Sequence, residues 1–127
     1  QPTSTPVLPA QLAFDPMTLT MAPGPRGACA GTITVTNNGP GVSNWSWSQI
    51  TPFTPWNLRC RIDINGKNGA WVNGLPQGTQ QPGAQEKVDI HFNCFGTQTY
   101  AVTVISNSSG GQATYTLTLQ VSSNTSN

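Results

Sequence analysis

Lys87-Val88-Asp89-Ile90-His91-Phe92-Asn93-Cys94 is the stretch from which the fold can be read. In an extended chain Val88, Ile90, Phe92 and Cys94 point to one side, and Lys87, Asp89, His91 and Asn93 to the other. Apolar and polar residues alternating at period two mark a half-buried β-strand. The same pattern continues in both directions. Toward the C-terminus, Tyr100, Val102 and Val104 form one face, and Tyr115, Leu117, Leu119 and Val121 stand opposite Thr114, Thr116, Thr118 and Gln120. Toward the N-terminus, Leu58, Cys60, Ile62 and Ile64 share a side after the Pro-rich bend 51–55, and the run 42–50 carries Trp45 and Trp47. Before it, Cys29, Gly31, Ile33 and Val35 oppose Ala30, Thr32, Thr34 and Thr36, closed by Asn37-Asn38-Gly39-Pro40. The first alternation is Leu8, Ala10, Leu12 and Phe14. It resumes as Met17, Leu19 and Met21 beyond Asp15-Pro16, and a proline there predicts a kinked edge strand.

No segment of ten or more residues carries apolar spacing at the helical period. Residues 65–83 are turn-rich, with a short Ala70-Trp71-Val72 segment able to pair. Seven or eight short strands joined by short connections predict an all-β antiparallel sandwich; a closed barrel is the other arrangement of the same strands. The 127 residues suffice for one domain. Residues 1–9 read as a flexible Pro/Thr/Ser-rich leader, 10–121 as the sandwich and 122–127 as a polar tail.

Charged residues make up only 7% of the chain and the net charge is +1. Thr, Ser, Asn, Gln and Gly fill the gap, so the surface is wetted by hydroxyls and amides, the composition of an exported protein. Five basic residues, Arg26, Arg59, Arg61, Lys67 and Lys87, are too few for the stripe that nucleic-acid binding needs. No apolar run has the length of a membrane span. A chain opening at Gln1 without a signal peptide reads as a mature secreted product.

The turns and strands resemble those of bacterial and archaeal extracellular immunoglobulin-like domains. The residues concerned are Asp15-Pro16 with Pro23-Gly24, the run Thr32 to Pro40 (TITVTNNGP), Gly74 to Gly78 (GLPQG), and Thr99 to Val121 around Gly110-Gly111. The likeness spans Asp15 to Val121 and implies an immunoglobulin-like sandwich. Domains of this kind serve as stalks, adhesin repeats, pilus-like subunits or accessory modules of sugar-degrading enzymes. Three cysteines and four tryptophans depart from the pattern.

Catalysis is poorly supplied: the acids are Asp15, Asp63, Glu86 and Asp89, and the one histidine is His91. Asp89 and His91 share an outward strand face, but no nucleophile is placed to join them. No ligand set for zinc or calcium is apparent, so neither enzyme activity, metal nor cofactor is expected. Cys29, Cys60 and Cys94 all fall on core-facing positions, and in an exported protein two are expected to be bridged. Cys60–Cys94 is the first choice, and Cys29–Cys94, with the spacing of immunoglobulin bridges, the alternative. Trp45, Trp47, Trp56 and Trp71 are candidate sugar-stacking residues, because indole packs against the C–H faces of sugars. For Trp45 and Trp47 the competing reading is core. Sequons at Asn44, Asn107 and Asn124 are candidate N-glycosylation sites.

Leu8, Ala10, Leu12 and Phe14 could fill the first strand of their own sandwich, or be donated to the next subunit by β-augmentation. Two functions follow. The preferred one is a non-catalytic structural or adhesive subunit of an extracellular, pilus-like filament, with copies of itself or other cell-surface proteins as partners. The other is a carbohydrate-binding module with a polysaccharide as ligand.

Overall fold

The computed structural model describes residues 8–22, 24, 27–55, 57–94 and 97–122. The alternating runs form ten strands: β1 (Leu12–Asp15), β2 (Thr18–Met21), β3 (Ala28–Asn37), β4 (Ser43–Thr51), β5 (Arg59–Ile64), β6 (Val72–Asn73), β7 (Gln77–Gln80), β8 (Gln85–Asn93), β9 (Gln98–Ser108) and β10 (Gly111–Val121). They make two five-stranded sheets, ordered β1-β3-β8-β5-β6 and β2-β10-β9-β4-β7. Pairing is antiparallel except between β2 and β10, which run parallel. The chain is an all-β, immunoglobulin-like sandwich.

The strand count exceeds seven or eight for two local reasons. The first apolar run does not kink within one sheet. It divides at Pro16, so that β1 joins β3 and β2 joins β10 in the opposite sheet. A proline fits this crossing because it has no N–H to give to either ladder. In addition, the turn-rich stretch 65–83 supplies the short strands β6 and β7, which pair with β5 and β4.

Between the sheets lie the inward residues that the alternation marks out: Ile33 and Val35 of β3, Val88, Ile90 and Phe92 of β8, Val102 and Val104 of β9, and Leu117 and Leu119 of β10. Each such side chain contributes about 1.5–3 kcal/mol on burial. Trp45 and Trp47 of β4 belong to the same core at 2% exposure each, and neither can stack a sugar, which corrects that expectation. Room for Trp45 comes from Gly78 on the neighbouring strand, where a Cβ would lie 3.0 Å from the indole.

The disulfide joins Cys29 to Cys94. Cys60 is a buried free thiol, so the first-choice pairing Cys60–Cys94 is corrected. Register is the reason. Cys60 stands opposite Ile90, four residues short of Cys94 along β8, or about 13 Å at ~3.3 Å per residue. Cys29, opposite Phe92 on β3, brings its Cα within 5.8 Å of that of Cys94. The bridge therefore fastens neighbouring strands of one sheet at their ends.

Candidate functional site

The two outward faces differ in chemistry. On the β1-β3-β8-β5-β6 sheet, register sets Asp15, Thr34, Lys87 and Asp63 in one row, Thr32, Asp89 and Arg61 in the next, and Ala30, His91, Arg59 and Asn73 beyond. The other sheet presents Thr18 and Thr20 of β2, Thr114, Thr116 and Thr118 of β10, Thr99 and Thr103 of β9, and Asn44 and Ser46 of β4. None of the residues on that second face ionises. Among the described ionisable side chains, Glu86 is buried and Lys67 lies in the turn after β5; apart from these, the ionic groups sit on the first face.

Trp71 lies over that charged face, 41% exposed. The guanidinium carbons of Arg59 and Arg61 are 5.2 and 4.9 Å from its ring centroid. The His91 ring meets it edge-on at 6.4 Å. Arg61 is also tied down electrostatically: its Nε donates to Asp89 Oδ2 at 2.8 Å, with Asp63 at 3.7 Å. The Asp89 hydrogen bond is the main reason the Arg61 pKa lies above its ordinary value. Partial burial pushes the Asp89 carboxyl up, but hydrogen bonds from Thr32 and Arg61 and the Arg61 charge outweigh it, leaving the carboxyl below its usual value. Asp89 thus turns to Thr32 and Arg61, while His91 turns to Trp71.

Arg59 has no carboxylate partner among the described residues. It lines a groove of about 630 Å³ with His91, Asn57, Asn73, Asn93 and Thr54. Of the four tryptophans proposed as stacking residues, Trp71 is the exposed one among those described, and Trp56 lies outside the described residues. Sequence reasoning missed Arg59 and Arg61 as its companions. Their alternation with Cys60 places both on the outward face, but which loop returns to cover them is set by the β5–β6 pairing.

Asn44 and Asn107, two of the sequon asparagines, are exposed cross-strand partners on β4 and β9. Their side chains accept hydrogen bonds from Thr79 Oγ1 and Gln112 Nε2. Asn124 lies outside the described residues.

The N-terminal stretch occupies a slot at one end of the sandwich. Gly41 N donates to Pro9 O at 3.0 Å, Asn38 N to Gln11 O at 2.7 Å and Gly110 N to Leu8 O at 3.2 Å. Asn37, fully buried, accepts from Gln11 N through Oδ1 and donates through Nδ2 to Gly41 O, fixing the slot wall. At two points the wall has no room for a side chain: a Cβ on Gly41 would stand 2.0 Å from Leu8 O, and one on Gly110 2.5 Å from Pro9 N. Beyond the slot, β1 pairs with β3 and buries Leu12 and Phe14 in the core, with Ala10 buried beside them; Leu8 stays 41% exposed.

Two sheets, a chain that crosses between them at Pro16 and a parallel β2–β10 edge define an immunoglobulin-like sandwich. No protein-family model matches the chain, and no curated sequence does. Among solved structures it is similar to PapD-like domain 7 of human CEP192, an ASH / PapD-like domain, at 15% identity and TM-score 0.59, covering 100% of this chain and 94% of that one. It is similar to the Vibrio cholerae VesB protease at 17% identity and TM-score 0.58, over 88% of this chain and 32% of the protease. It is also similar to the CsuC–CsuE chaperone–tip adhesion subunit complex of Acinetobacter baumannii Csu pili, at 13% identity and TM-score 0.54, over 90% of this chain and 52% of that one. Likeness at these identities establishes the fold.

Proposed function

We propose that the chain is a non-catalytic structural or adhesive unit of the cell exterior, able to join copies of itself by exchanging its N-terminal strand. The glycine-walled slot carries this reading. It receives residues 8–11 through main-chain hydrogen bonds, and β1 then holds a sheet edge with one neighbour, its side chains filling alternate pockets. An identical strand from a second copy would make the same bonds, so exchange replaces every contact it breaks. A head-to-tail exchange does not close on itself and builds a filament. The Cys29–Cys94 bridge supports an oxidising location.

Ala13 and Thr36 stand directly opposite on β1 and β3 and give the test. In the Ala13→Cys/Thr36→Cys variant, a short thiol-bridging reagent yields a ladder of covalent oligomers if β1 is exchanged. Filaments seen by electron microscopy whose cross-linked product is purely monomeric would exclude strand exchange. A uniform monomer under all conditions would exclude the filament role.

A second reading is favoured by Trp71. An exposed indole on a charged face, beside a groove rimmed by asparagines, suits contact with a saccharide. Loss of polysaccharide retention in Trp71→Ala tests it.

A further inference from the structure

We infer that the groove beside Trp71 binds an acidic saccharide, whose carboxylate or sulfate pairs with Arg59. The inference rests on the saccharide reading above and specifies its ligand. It starts from the charge on the β5 strand. Arg61 is neutralised by Asp89, with Asp63 near, whereas Arg59 meets no carboxylate among the described residues. The Arg59 guanidinium carbon lies 5.2 Å from the Trp71 ring centroid, a cation–π contact that favours this position of an exposed side chain. A guanidinium beside an aromatic ring and without a carboxylate partner can offer its N–H fork to a two-oxygen acceptor.

The surroundings indicate a hydroxyl-rich partner. Asn57, Asn73 and Asn93 line the same groove, and each carboxamide offers both donors and an acceptor, as ring hydroxyls require. The groove's volume, about 630 Å³, falls in the range of small-ligand sites. Asp15, Asp63 and Asp89 balance Arg59, Arg61 and Lys87 among the described residues of this face, so attraction for an anionic polymer is local to Arg59.

Retention on immobilised polygalacturonate, heparin, neutral mannan and poly-glutamate tests the inference. The expected result is binding to polygalacturonate or heparin, weakened by added salt, and at least about tenfold weaker in Arg59→Gln, which loses a charged hydrogen bond. Comparing the two acidic polymers separates carboxylate from sulfate recognition. Asn93→Asp sets a repelling carboxylate in the groove and serves as the second variant if Arg59→Gln melts abnormally; it too should weaken retention at least about tenfold. Equal binding of mannan and the acidic polymers, lost in Trp71→Ala, would overturn the acidic ligand while leaving the saccharide reading intact. Retention of none of the glycans would overturn both. Unchanged binding in Arg59→Gln, or equal retention on poly-glutamate, would overturn the site as described.

Discussion

Three cysteines with the same inward parity have different chemistry because of where their neighbours lie. Cys29 and Cys94 come together where β3 and β8 end, and their bond closes a separation of 65 residues. In the chain-entropy picture such a loop stabilises the fold by about 4 kcal/mol, through the conformations it denies the unfolded chain. Cys60, at 3% exposure, has no such partner, and burial pushes its thiol pKa above the ordinary value. A thiol held protonated and away from solvent is a poor nucleophile. A thiol reagent should therefore label nothing in the native protein, one site after urea unfolding, and three after unfolding with reductant. Cys29→Ala/Cys94→Ala should lower unfolding stability by about 2–5 kcal/mol in a urea titration. Native labelling of Cys60, or a double variant as stable as the parent, would contradict this assignment.

At the level of elements, side-chain parity was legible in the sequence and strand partnership was not. Alternation at period two placed Val88, Ile90 and Phe92 inward, and the structure agrees. It also put Trp45 and Trp47 on one face without revealing which, because a face becomes core only when a second sheet lies over it. The same limit left Cys29–Cys94 as the alternative to Cys60–Cys94, since the choice depends on register, and hid the meeting of Trp71 with Arg59 and Arg61, which depends on where β6 returns to β5. The split at Pro16 sends β1 and β2 to opposite sheets, a choice no local pattern encodes. The slot for residues 8–11 is likewise non-local, being made by two turns some seventy residues apart in the chain, around Gly41 and Gly110. Its dependence on these glycines can be tested. In Gly41→Ala the new methyl would collide with the Leu8 carbonyl, a backbone atom that cannot swing aside. Backbone displacement of this kind costs about 1–3 kcal/mol. The cost should fall on the N-terminal segment, with faster amide exchange at Gly41 and Gly110 and earlier proteolysis ahead of β1. If residues 8–14 are exchanged between copies, the same substitution should also shorten or abolish filaments. A variant with unchanged exchange and assembly would show that the slot does not hold the segment.

Across the whole molecule, so few ionisable groups remain that two carboxyls dominate the acid side of its stability. Glu86 points inward from β8 at 4% exposure, and its Oε1 has no hydrogen-bond partner among the described residues. Burial raises its pKa above the ordinary value. The Trp45 indole N–H is near enough to oppose this by its field, but it too makes no hydrogen bond of ordinary geometry. A carboxyl with a raised folded pKa favours the folded state when protonated. Its contribution is complete below the ordinary glutamate pKa of 4.5 and is lost as pH rises through the raised value. Asp89 works in the opposite direction. Its folded pKa is lowered, so its contribution is complete above the ordinary aspartate value of 3.8 and is lost as pH falls through the lowered one. Stability should therefore peak on the acid side of neutrality, between the two windows, and decline gently toward pH 7. Each limb can be removed separately. Glu86→Gln should raise the melting temperature at pH 7 and flatten the descent from the peak. Asp89→Asn should lower stability at neutral pH, where Arg61 and Thr32 lose an ionised partner, and should remove the fall below the ordinary aspartate pKa. Melting curves from pH 2.5 to 8 for the parent and both variants decide the matter. A parent profile that climbs steadily to pH 7, or a Glu86→Gln variant less stable there than the parent, would mean that Glu86 is ionised and satisfied in the folded protein.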